Sequence, residues 1–218
     1  MEDKILFIGN SLTYRQKFPH LFKNMVQQEG TKIIVEQFAK PGISLLELSN
    51  LEELQSCIAS KKWDAVVLQE RTKMSLEDKE FEKFRIGANR IVEFIHINCK
   101  KTQIFYNAVW IGSNFDEEKQ KDINQHYEIV AKQTNGKICY TGNAFLNCHN
   151  CYPEMDLFED EKHPSLVGAY LSACCMYRAI YQKDPTKNRY DDVLNVEITK
   201  KLKEVAKCTI EVKPIQSF

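Results

Sequence analysis

The sequence has no excess of charge of either sign: its 30 basic and 30 acidic residues cancel, and no long run of one sign occurs. So balanced a chain neither draws in nucleic acid nor holds itself against anionic lipid. Small neutral or mildly polar molecules are the expected partners. Long apolar runs are missing too. The run that follows MEDK is short and leads directly into a charged segment, which fits neither a secretory signal nor a membrane span. The expectation is a cytoplasmic protein. Internal repeats, low-complexity stretches and linker-like composition are also absent from the 218 residues, so a single domain over 1–218 is expected, with a C-terminal helix and tail from about 190.

Eight cysteines are present, but no second half of a metal-site signature accompanies them. Cys57, Cys99, Cys139, Cys174 and Cys175 lie scattered in apolar stretches, as reduced, buried, small side chains do. Cys148-His149-Asn150-Cys151 has the CxxC spacing of a redox pair or half a metal site; the plain alternative is a loop that happens to hold two thiols. No further CxxC or HxxxH completes a tetrahedral site, so neither a metal nor an organic cofactor is expected.

What is present is an alternation of short apolar runs with amphipathic segments. Five runs read as strands: KILFIG before Asn10, Lys32–Ala39, Asp64–Gln69, Gln103–Trp110 and Lys137–Thr141. Helices are expected from Pro19 to Gly30, Leu45 to Ile58, a Ser75/Asp78 capping box to about Cys99, Asp116 to Thr134, Leu166 to Tyr181, and Asp191 to Lys207. A long irregular loop is expected from Gly142 to Lys162. Such alternation implies an α/β fold, a three-layer α/β/α sandwich around a five-stranded, mostly parallel sheet. If the strand order is 2-1-3-4-5, the loops carrying Ser11, Gly42 and Gln69 converge on one crevice at the carboxyl edge of the sheet.

Ser11 ends the first strand in Gly9-Asn10-Ser11, where it could cap the next helix or act as a nucleophile. A serine hydroxyl needs a base, and five histidines are available. His20 and His96 fall within helices, His126 on a polar helical stretch and His149 within the long loop. His163 differs, because Asp160 precedes it by three residues and Pro164 fixes the entry to a helix. One turn at that spacing brings a carboxylate to Nδ1 and leaves Nε2 for an incoming serine, although Asp160 could equally be one solvated charge among several in EDEKH. An acyl-transfer site also needs donors for an oxyanion. The Ser11 backbone amide, the Gly42 amide and the Gln69 side-chain amide are the candidates. Trp110, Phe115, Phe145 and Tyr152 could line an acyl or alcohol pocket, or belong to the core.

GNSLT after the first strand, a glycine loop after the second, a polar amide ending the third and DEKHPS before a late helix together resemble the SGNH, or GDSL-type, hydrolases. The resemblance spans Lys4 to about Tyr181. It implies a flavodoxin-like SGNH hydrolase fold, with Ser11 as nucleophile, His163 as base, Asp160 as the acid that orients it, and Ser11 and Gly42 as oxyanion donors. The family's asparagine in a GxND motif is replaced here by LQER, so Gln69 stands for it, and Asn10 stands where aspartate is commoner. The implied activity is a serine esterase acting on small O-acyl esters, such as acetyl groups on a sugar or other metabolite. An acyltransferase using the same residues, or a non-catalytic binding module on the same fold, are the alternatives.

Overall fold

The first strand, β1 (Asp3–Gly9), is apolar along its whole middle because both of its faces are covered: Ile5, Leu6, Phe7 and Ile8 are all buried. In the computed structural model, which describes residues 2–209, it lies second from one edge of a five-stranded sheet with β2 (Ile33–Ala39), β3 (Ala65–Leu68), β4 (Gln103–Asn107) and β5 (Lys137–Cys139). The order is β2-β1-β3-β4-β5 and every pairing is parallel. The register sets Gly9 opposite Ala39 and Ile8 opposite Leu68, so the loops that leave β1, β2 and β3 start level with one another. That edge is where the chain reverses its winding.

The connections are α1 (Ser11–Tyr14), α2 (Phe18–Gln27), α3 (Leu45–Ser49), α4 (Glu52–Ala59), α5 (Thr72–Leu76), α6 (Asp78–Asn98), α7 (Glu117–Thr134), α8 (Thr141–Cys151), α9 (Leu166–Tyr181) and α10 (Val196–Thr209). Helix α2 packs on α9 and α9 on α10, while α3, α4, α5 and α7 gather around α6. The α/β/α sandwich follows. Helix α2 turns Phe18, Leu21, Phe22, Met25 and Val26 inward, and the Phe7 ring meets Phe18 and Phe22 edge-on at 5.3 and 5.5 Å. Among the described residues no helix is long and apolar enough to cross a membrane.

Several elements differ from the expectations. The helix expected over Leu45 to Ile58 is two: Asn50 Nδ2 folds back onto the Leu46 carbonyl, and Leu51 is extended. Ser75 and Asp78 form no capping box. Ser75 sits inside α5, where its hydroxyl donates to the Arg71 and Thr72 carbonyls, and α6 starts after an extended Glu77. Strand β4 stops at Asn107 rather than Trp110 because its partner β5 ends at Cys139 and the chain then enters α8. Much of the stretch expected as an irregular loop, Gly142 to Lys162, is helix α8. Its Gly and Asn content disfavours a helix, but burial of Ala144, Phe145 and Cys148 overrides that preference. The last helix starts at Val196 and not near Asp191, whose carboxylate instead accepts from Lys203 and Thr199. The tail expected after it, beyond 209, lies outside the described residues.

Helix α6 approaches α3 at Gly87, where an added Cβ would lie 2.2 Å from the Leu46 nitrogen. Gly87→Ala should therefore force the two helices apart and lower the free energy of unfolding by about 1–3 kcal/mol in a urea titration. A variant as stable as the native chain would contradict so close a crossing.

Candidate active site

The turn after β1 is built from hydrogen bonds that leave one hydroxyl out. Asn10 is the N-cap of α1: its Oδ1 accepts the Leu12 N–H at 3.1 Å, and its Nδ2 donates to the Ile43 carbonyl at 3.3 Å. Ser11 is thereby relieved of capping and occupies the first helical position. Aspartate at position 10 could cap equally well but has no proton to give Ile43, which accounts for asparagine here. Gly9 is required by crowding, since a Cβ there would lie 2.3 Å from Thr13 Oγ1 and 2.6 Å from Gln69 Oε1.

The Ser11 hydroxyl reaches His163, with Oγ and Nε2 2.9 Å apart. On the other side of the ring, His163 Nδ1 lies 2.7 Å from Asp160 Oδ2. A carboxylate only accepts, so Nδ1 carries the proton and Nε2 presents its lone pair to the serine. Asp160 Oδ1 accepts two backbone N–H groups, from Lys162 at 2.8 Å and His163 at 2.7 Å. These bonds and the His163 ring hold the Asp160 carboxyl well below the usual carboxylate range. The DEKH turn thus presents an ionised acid and an oriented imidazole to the serine from 152 residues away in the chain.

The loop that carries them is fixed from beneath. Phe158 and Pro164 form an isolated antiparallel bridge, and the Ser165 N–H donates to the Leu157 carbonyl. Trp110 Nε1 donates to the Lys162 carbonyl at 2.8 Å, and the Ser113 N–H donates to the Glu161 carbonyl. Trp110 is 2% exposed and stacks on buried Phe145, with ring centroids 4.1 Å apart. These two aromatic residues support the Asp160–His163 loop from the core instead of lining a pocket. Phe115 and Tyr152 are half-buried, Phe115 stacked on His149 and Tyr152 under the Lys201 ammonium.

Gly42 lies in the turn after β2 with φ +61°, a left-handed conformation that favours glycine. No protein acceptor receives its N–H or that of Ser11 among the described hydrogen bonds. Gln69 is arranged differently from the expectation of a donor aimed into the crevice. It is 1% exposed, and its Oε1 accepts the Asn10 N–H at 3.0 Å and the Thr13 hydroxyl at 2.8 Å. Its Nε2 donates to the Glu70 carbonyl. The backbone N–H at one end and the carbonyl at the other fix which way the amide faces. Gln69 therefore ties the end of β3 to the nucleophile turn.

The fold is similar to that of many solved structures. A DUF4886 family protein from Bacteroides uniformis superposes with a TM-score of 0.85 at 18% identity, covering 95% of this chain and 94% of that one. A member of the lipolytic protein G-D-S-L family from Veillonella parvula gives 0.63 at 14% identity, with 83% and 99% covered. Axe2, an acetyl-xylooligosaccharide esterase from Geobacillus, gives 0.63 at 19% identity, with 83% and 95% covered. The fold is that of the SGNH hydrolases. No protein-family model matches the sequence, and no curated protein does.

Within this SGNH fold, two acidic groups beside the site have opposite environments. Glu70, missed in the sequence, is fully buried next to Gln69; its carboxyl accepts the Leu45 N–H at 3.0 Å and the Arg71 N–H at 2.6 Å. Leu45 begins α3, so Glu70 anchors the far side of the Gly42 turn, while a Ser44/Glu47 capping box closes its end. Burial pushes the Glu70 carboxyl up to about 8, against the pull of those N–H groups and of the Arg71 cation. The only hint in the sequence is its place directly after Gln69 at a strand end.

Glu159, Asp160 and His163 form the one group among the described residues whose ligand atoms could meet a metal ion. Both Asp160 oxygens and His163 Nδ1 are already hydrogen-bonded to one another or to backbone, so an ion there would have to undo the acid–imidazole pair. The CxxC thiols diverge: Cys148 is buried, with burial pushing its thiol up to about 12, Cys151 is exposed, and both are free. An inert buried thiol beside an exposed one is a poor redox pair.

Between about pH 4.5 and about 8 the folded chain keeps a proton on Glu70 that the unfolded chain has lost, so this group's contribution to stability declines as pH rises through that window and is flat above it. Glu70→Gln has nothing to titrate there. Urea unfolding across this range should show the native free energy falling by up to about 1.4 kcal/mol per pH unit relative to the variant. Parallel curves would mean that Glu70 is ionised throughout.

Proposed function

We propose that this protein is a serine ester hydrolase that removes short O-acyl groups, acetyl foremost, from a sugar or another small metabolite through an acyl-enzyme on Ser11. The observation that carries the reading is the continuous relay from Ser11 Oγ through both nitrogens of His163 to Asp160, at 2.9 and 2.7 Å. His163 Nε2 takes the serine proton as Oγ attacks the ester carbonyl, and Asp160 stabilises the imidazolium that results. The tetrahedral oxyanion is met by the Ser11 and Gly42 N–H groups, each such donor contributing on the order of 10² to 10³ in kcat. Gln69 serves the hole indirectly, by bracing the turn that aims the Ser11 N–H. His163 then protonates the departing alcohol. A water activated by the same nitrogen attacks the acyl-enzyme and releases the acid.

The relay is open to solvent: the Asp160 side chain is 51% exposed and that of His163 24%. A short acyl group is supported by the likeness in fold to Axe2, an acetyl-xylooligosaccharide esterase.

A fluorophosphonate probe should label the native chain, and Ser11→Ala should abolish both labelling and hydrolysis of p-nitrophenyl acetate. Native protein that neither labels nor hydrolyses would overturn the reading.

A further inference from the structure

The segment that follows the nucleophile is strained. After α1 the chain makes a 3-10 turn over Arg15–Lys17, in which two successive non-glycine residues are left-handed: Gln16 at φ 50°, ψ 22° and Lys17 at φ 54°, ψ 38°. Such conformations persist where surrounding contacts over-determine them, and they gather at functional sites. Here the contacts are specific. Arg15 Nη1 donates to Glu159 Oε1 at 2.8 Å, and Gln16 Nε2 donates to Glu159 Oε2 at 2.6 Å, so each oxygen of one carboxylate receives one of two adjacent side chains.

Neighbouring residues of a helix point about 100° apart and cannot share a carboxylate in this way. The left-handed turn is what lets Arg15 and Gln16 converge. Glu159 immediately precedes Asp160, and its backbone N–H donates to the His163 carbonyl at 2.9 Å, closing the turn that holds the acid and the base. Apart from the Ser11–His163 bond, these are the two described side-chain hydrogen bonds that join residues 10–17 to residues 157–165.

We propose that Glu159 is a positioning residue: gripped by Arg15 and Gln16, it sets where the Asp160–His163 pair sits relative to Ser11. The proposal rests on the reading of Ser11, His163 and Asp160 as an acyl-transfer triad. An error of about 1 Å in such a relay is enough to cost 10²-fold in rate, so a clasp one residue from the acid acts on turnover and not on substrate binding.

The test uses the full chain with p-nitrophenyl acetate and a fluorophosphonate probe, on native protein, Glu159→Ala, Glu159→Gln, Arg15→Ala and the Arg15→Ala/Glu159→Ala double variant, each checked for native circular dichroism. Glu159→Ala should lower kcat and the labelling rate by about 10- to 100-fold with KM changed less than about twofold. Glu159→Gln, which keeps one acceptor oxygen, should recover part of the loss. Glu159→Ala should be about as slow as the double variant, because Glu159 is the residue that Arg15 grips, and Arg15→Ala should fall between these and native protein, because Gln16 still holds one Glu159 oxygen. Arg15→Ala reports on the clasp even if Glu159→Ala fails to fold. Folded Glu159→Ala or Arg15→Ala that labels and turns over at the native rate would overturn the proposal, as would a loss confined to KM. Native protein that does not label would instead overturn the triad reading beneath it.

Discussion

The hydrogen bond from the Asn10 backbone N–H to the Gln69 side chain is the joint on which the site depends. It is buried, and it ties the end of β1 to the end of β3; the Asn10 amide then carries the tie on to the Ile43 carbonyl beyond β2. Three loops that emerge level from a parallel sheet would otherwise be free to splay. With the polar groups of the turn satisfied by Asn10, Gln69 and Thr13, the Ser11 hydroxyl has no partner on its own side of the crevice and turns to His163. The Ser11 hydroxyl is available because Asn10 absorbs the capping work that a serine at a helix start usually does.

The same economy separates the two acids. Asp160 is exposed, collects two backbone N–H groups and an imidazole, and stays ionised. Glu70 is sealed beneath the Gly42 turn with two N–H groups of its own, yet burial outweighs them. Similar hydrogen bonding leads to opposite charge states, and exposure to water decides between them. One carboxyl orients a base. The other is a fixed post between β3 and α3.

Much of this could be read along the chain. The parallel sheet and the pairing of Asp160 with His163 follow from features local enough to show in the sequence, an alternation of apolar runs with amphipathic segments and an acid three residues before a histidine at a helix entry, whereas the strand order enters there only as a condition and is given by the strand pairing. What escaped depends on contacts between distant segments. Helix α8 forms from residues of poor helical propensity because Phe145 stacks on Trp110 and Cys148 is buried. Gln69 was assigned by its type as a donor, but the crowding at Gly9 and Thr13 that makes its carbonyl the working end has no signature at the level of a motif. Glu159 is likewise one charge among several in EDEKH until Arg15 and Gln16, on the far side of the sequence, are seen to hold it.

The separation of Ser11 from His163 along the chain also bears on how the protein is made. Ser11 directly follows the first strand and leaves the ribosome early, while its partner His163 follows 152 residues later, after all four crossovers between the five strands have been laid down. Throughout that interval the hydroxyl has no imidazole to bond. The Ser11–His163 pair therefore closes only when the segment between the fifth strand and α9 has folded, so the crevice is assembled last although its first residue is made first.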